Sequence, residues 1–251
     1  MKTFVFACGA AVVAQSALAV TVVEDFDSFA SFANGQAVGN GATDASLFFD
    51  LTVTARNGDG LDGVIFDSDP AGPNAGSEDV DLLVDTGNVL TAQDGSDGTA
   101  TPGTIFDPAD DDVGFILTLD FIAPLTVESL LLVDIDGGTF TEITLIDESG
   151  LEREFDIPAD FTGDVAAGEP GSFVIDLLTL SDQSSVNGTG PITAVEDDGF
   201  DQDAVVTLVF DTRGSGAIDD LVLSGDEVPT SGSLALLAVS GVLAGTRRRR
   251  A

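Results

Sequence analysis

The stretch Val113–Asp136, "VGFILTLDFIAPLTVESLLLVDID", decides the fold class. In its first half Phe115, Leu117, Leu119 and Phe121 recur at every second position, with Ile116, Thr118 and Asp120 between them. A period of two places one set of side chains on a buried face and the other toward solvent, which is a strand and not a helix. Ala123-Pro124 reads as a turn, because proline cannot donate to a strand ladder, and "LTVESLLLVDID" reads as the next strand.

The same reading extends in both directions. "SLFFDLTVTAR" before it, and "FTEITLIDESG", "GSFVIDLLTL", "DAVVTLVFD" and "GAIDDLVLS" after it, are rich in Phe and β-branched residues and are separated by Gly, Pro, Asn and Asp clusters. In "FTEITLIDESG", Phe140, Glu142 and Thr144 alternate with Thr141, Ile143 and Leu145. No stretch of this region shows a long apolar period of 3.6 with caps. An all-β fold follows, expected as an antiparallel β-sandwich of jelly-roll type. Long loops are expected between Gly58 and Gly114, as a binding surface or a mobile stretch.

Both ends of the chain read differently. Lys2, the apolar run Phe4–Ala14 and the small-residue motif Ala17-Leu18-Ala19 form a secretory signal peptide, residues 1–19, cleaved after Ala19. Its Cys8 is the sole cysteine, so the exported part has neither thiol nor disulfide. At the other end "VPTSGSLALLAVSGVLAGTRRRRA", residues 228–251, joins a short Pro motif to an apolar helix and then Arg247, Arg248, Arg249 and Arg250. The apolar run is slightly short for a bilayer span, and the arginines would hold its end in the cytoplasm.

That tail resembles the PEP-CTERM sorting signal of Gram-negative bacteria. Val228-Pro229-Thr230-Ser231 stands at the motif, keeping its first proline but not the glutamate and second proline. The resemblance implies export by signal peptidase, a C-terminal transmembrane sorting helix, and recognition by the membrane protease exosortase. The destination would be the cell envelope, cell surface or extracellular matrix. Within residues 20–227, "VIFDSDPAGPNAGSEDVDL", "GNVLTAQD", "LLLVDIDGG" and "GSGAIDDLVLS" occur in the order common in secreted proteins bearing such tails. This likeness implies fold and location and no particular activity.

Composition narrows the function. The whole chain carries 44 acidic residues against 8 basic ones and a formal charge of −36. All the acids lie in 20–227, where only Arg56, Arg153 and Arg213 oppose them. Nucleic acid is excluded as a natural partner, since phosphate binding needs Lys and Arg. Without His, Tyr, or a Lys or Cys beyond the signal peptide, the usual nucleophile–base pairs and zinc sites cannot be built. The expectation is therefore a non-enzyme. A carboxylate-only glycan-active enzyme remains as an alternative.

Calcium suits this inventory, because it takes six to eight oxygen ligands. The acidic loops "NGDGLDG", "DSDPAGPNAGSEDVD" and "EDDGFDQD" lack EF-hand spacing and read as solvated turns. The opening "VVEDFDSF" and closing "GAIDDLVLS" segments look similar to those of secreted β-sandwich carbohydrate-binding modules, in which first- and last-strand acids share a structural calcium. That likeness nominates Glu24, Asp25, Asp219 and Asp220. Asp219-Asp220 in an apolar strand must aim at least one carboxylate toward a packed face, and a buried carboxylate needs a cation or hydrogen bonds. An edge strand with both acids in water is the other reading. A calcium-dependent carbohydrate-binding module is a second function. No Trp or Tyr is present to stack on sugar, and the phenylalanines are needed for the core. The three arginines, which could clamp an acidic sugar, are expected to pair with neighbouring acids. Extracellular polysaccharide, bridged by calcium, is the external partner such a surface suits.

Overall fold

The structure is a computed structural model describing residues 20–27, 33–40, 48–55, 63–76, 80–92, 114–135, 141–165, 168–185 and 187–225. The processing residues Ala19, Val228, Pro229 and Arg247, Arg248, Arg249 and Arg250 lie outside these residues, as does the C-terminal apolar run. Among the described residues no helix is long and apolar enough to cross a membrane.

The described chain is all-β. Its strands are β1 (Val20–Glu24), β2 (Ala37–Val38), β3 (Phe49–Ala55), β4 (Gly63–Asp67), β5 (Asn88–Ala92), β6 (Phe115–Val133) and β7 (Thr141–Asp147). They continue as β8 (Glu152–Ile157), β9 (Ser172–Asp176), β10 (Gln183–Ser184), β11 (Pro191–Glu196), β12 (Val205–Thr212) and β13 (Ala217–Gly225). One 3-10 turn, Gln202–Ala204, precedes β12. All the strands join one antiparallel hydrogen-bonded sheet in the order β10-β11-β8-β7-β12-β6-β13-β5-β4-β2, with β1 on β13 and both β3 and β9 on β6.

The stretch that set the fold class is a single strand of 19 residues, and Ala123-Pro124 does not turn the chain. The proline sits where the ladder to β12 is broken: Leu125 faces Val205 and Asp120 faces Thr207, leaving residues 121–124 of β6 against Val206 alone. A missing N–H costs nothing at such an irregularity. On either side of it β6 keeps different company. Phe115–Phe121 lies between β3 and β12, whereas Ser129–Val133 lies between β13 and β9.

One core draws on both halves. Phe115, Leu117 and Leu119 share it with Leu130 and Leu132, and with Ile143, Phe155, Phe210, Ile218 and Leu223 from the flanking strands. As the alternation predicts, Thr141, Ile143 and Leu145 are buried in β7. Among the described residues nine phenylalanines are buried, including the Phe115–Phe210 pair with ring centres 6.0 Å apart.

A second, smaller cluster lies on the opposite face of β4, β5 and the adjoining ends of β6 and β13: Val64, Phe66, Leu82, Val89, Leu131, Val133 and Ala217. The segment around Leu82–Val84 covers it. Both faces of β4 are therefore buried, which explains why "GVIF" shows no alternation. The region expected to hold long loops contains two strands, β4 and β5.

Candidate metal centre

The site begins with a change of partner along β13. On its side away from β6, Ile218 pairs with Leu90 of β5. Leu221–Gly225 then pairs with Glu24–Val20 of β1. On the β6 side, Asp219 faces Leu131 and Val222 faces Ser129. Three steps on β13 against two on β6 make a one-residue bulge, and Asp220 takes a left-handed φ of 47° there. Aspartate tolerates that region better than most residues. The Asp220 N–H donates to Asp219 Oδ1 at 2.7 Å, which fixes the bend.

Chain leaving β1 runs into the same gap. Phe26 has a φ of 48° and inserts its ring into the core, 1% exposed. The flanking acids turn the other way: Asp25 Oδ1 accepts from the Asp27 N–H at 3.2 Å, and Asp27 Oδ1 accepts from the Asn88 N–H at 2.9 Å. Asn88 Nδ2 in turn donates to the Phe26 carbonyl at 3.1 Å, so the start of β5 holds this turn from both sides. Gly87 lies directly beneath the Asp27 carboxylate, which any side chain at that position would strike. Its φ of +103° also favours glycine.

Where β1, β5 and β13 converge, Asp25 and Asp27 lie near enough for their charges to act on Asp219 and Asp220. Asp219 is 1% exposed, and its Oδ2 is buried without a hydrogen-bond partner. Burial is the main reason its carboxyl is pushed up to about 8; the Asp220 N–H opposes the shift, and the charges of Asp220, Asp27 and Asp25 add to it. Asp220 is raised as well, by desolvation and then by Asp25 and Asp27. Among the described residues no three acidic side chains close round a point that could hold a metal ion as they stand. The junction is an assembly of carboxylates that would have to close on a cation, with backbone oxygens completing the shell.

Of the residues nominated from sequence, Asp219 and Asp220 are adjacent at the bulge and Asp25 is near enough for its charge to act on both. Glu24 is set apart from them by the bulge. It pairs with Leu221, whose side chain is in the main core, whereas Asp219 pairs with Leu131 in the smaller cluster. Paired residues share a face, so Glu24 belongs to the opposite side of the sheet from Asp219. Asp27 was missed, although the Asp-x-Asp spacing of "EDFDSF" carries it.

Other polar groups are occupied structurally. Arg153 is buried. Its Nε and Nη2 donate to Glu196 Oε2 at 2.9 and 2.7 Å, and its Nη1 to the Leu177 carbonyl and Gln202 Oε1. Its guanidinium also lies 4.8 Å from the centre of the Phe200 ring. It is a structural pin and not a clamp for an acidic ligand. Asp147 accepts from the Asp201 N–H through Oδ2, and from Ser149 and Leu151 through Oδ1. These bonds, Asp201 first, hold its carboxyl below the usual range. In the acidic loops, Asp67, Asp69 and Asp201 each accept from the N–H two residues on, as solvated turns do. Most of "NGDGLDG" lies outside the described residues.

A groove of about 220 Å³ runs between Glu152, Glu154, Val195, Glu196 and Asp197. Desolvation, then the charges of Glu142, Glu152, Asp156 and Asp197, raise the Glu154 carboxyl. No protein-family model, curated protein or solved structure matches the chain.

Proposed function

We propose that the chain is an exported, non-enzymatic protein of the cell surface or extracellular matrix, carried there by its PEP-CTERM-like tail and stabilised by calcium. The observation that carries the calcium reading is the Oδ2 of Asp219, buried without a hydrogen bond among three further aspartates. A buried carboxylate left this way is costly, and a divalent cation relieves both its desolvation and the repulsion around it. A sheet folded over one core in the manner of a β-sandwich fits the sharing of that core by both halves of β6. Calcium also offers a bridge from the acidic surface to acidic polysaccharide.

The expected result is a calcium-dependent melting midpoint for residues 20–228. At free calcium a hundred times Kd, binding to the folded state alone adds about 2.7 kcal/mol. For a domain of this size that raises the midpoint by about 5–10 °C. A midpoint indifferent to calcium and chelator would refute the reading. The sorting reading has its own check: the intact mass of the exported protein should show loss of residues 1–19 and of a fragment beginning near Val228. A C-terminus still ending in Arg247–Ala251 would leave a plain membrane anchor in its place.

A further inference from the structure

We infer that one calcium ion binds between Asp25 and Asp27 on the extension of β1 and Asp219 and Asp220 in the bulge of β13, and that it acts as a clasp which docks β1. The inference rests on the calcium reading above and adds the ligands, the excluded Glu24 and the element controlled.

The fold holds β1 weakly. Among the described residues it is hydrogen-bonded only to β13, over five residues, and Val23 is 50% exposed. Of its valines, Val22 packs against the core, and a strand paired along one edge with an exposed residue such as Val23 is a place for local opening. The large apolar group of this segment is Phe26, and it stands between Asp25 and Asp27. Seating Phe26 in the core carries both carboxylates toward Asp219 and Asp220, whose charge opposes them. Without a cation, burial of the ring and repulsion between the acids act against each other. With one, both act in the same direction. The Oδ2 of Asp219 gives the ion a buried anchor on β13. The hydrogen bonds from Asn88 and the glycine at 87 keep the Asp27 carboxylate at the junction. A bulge and an irregular turn supply oxygens without octahedral order, which favours calcium over magnesium.

The test uses the full chain in mild detergent, with hydrogen exchange followed by mass spectrometry and calcium binding followed by calorimetry. At free calcium ten times Kd, the amides of Thr21–Glu24 should exchange about tenfold more slowly than in chelator. Those of β8 should be unchanged, and magnesium at the same concentration should protect less. Asp27→Asn preserves the acceptor for the Asn88 N–H, so the turn should still form, yet calcium protection of β1 should be lost. Asp219→Asn should lose it too, and Glu24→Gln should keep it. Measured calcium binding with no change in β1 exchange would overturn the clasp and leave the calcium reading standing. Absence of binding would overturn both. Retention in Asp27→Asn together with loss in Glu24→Gln would place the ion on the other face of the sheet and refute this site.

Discussion

In chelator at pH 8, Asp219→Asn will melt about 5–10 °C above the unsubstituted protein, and added calcium will no longer raise its midpoint. The cause is the linkage of proton binding to folding. A carboxyl whose ordinary value is 3.8 is pushed up to about 8 in the folded chain. The folded state therefore holds the proton more tightly than the unfolded state does, and metal-free stability falls as pH rises from about 4 to about 8. Its contribution is fully present below the unfolded value and lost above the folded one. A displacement of that size corresponds to something on the order of 5 kcal/mol. Asparagine is neutral at every pH and fills the same space, but its amide needs acceptors of its own, so only part of this is recovered. The unsubstituted protein in chelator should melt higher at pH 5 than at pH 8, and the calcium increment should be greatest at pH 8. A chelator midpoint that rises with pH, or a variant that still responds to calcium, would remove Asp219 from the site.

Arg153→Met will lower stability by about 3–5 kcal/mol, read as a fall in the urea midpoint at unchanged slope. The guanidinium is buried and serves Glu196, the Leu177 carbonyl, Gln202 and the face of Phe200 at once. Methionine replaces its length but none of its donors. Glu196 then stands in the acidic strip with Glu152, Glu154 and Asp197 without its counter-charge. Lysine should recover only part of the loss, because a point charge cannot meet three acceptors in a fork. A change under about 1 kcal/mol for Arg153→Met would mean that the pair contributes no more than an exposed ion pair does.

Much of the fold was legible because burial on one face leaves a period of two. Phe115, Leu117, Leu119 and Phe121 announce β6, and Ile143 and Leu145 announce β7. The pattern fails where both faces are covered, as in β4, since a continuous apolar run has no phase. Pro124 misled for a related reason: a proline marks a missing hydrogen bond, and a turn and a broken ladder both supply one. At the site, the sequence placed acids on the first and last strands. It could not give the bulge at Asp220, which changes the phase of β13 and puts Glu24 across the sheet from Asp219. Nor could it show that Asp27 is drawn in by Asn88, 61 residues away. Contacts of that kind join segments far apart in the chain, and a pattern read within one segment does not pair it with another.

The pairing of Val20 with Gly225 has a mechanical meaning. The first and last described residues are neighbours across one ladder, so a force that draws them apart loads the rungs one after another rather than all together. The ladder has five rungs, of which the pair of Glu24 and Leu221 is the last. The strand pair opens as a peel, at low force, and the peel arrives last at the aspartates between β1 and β13. A tension applied across these two ends would open this pair first, and a cation held as proposed would set the resistance at the bottom of the peel.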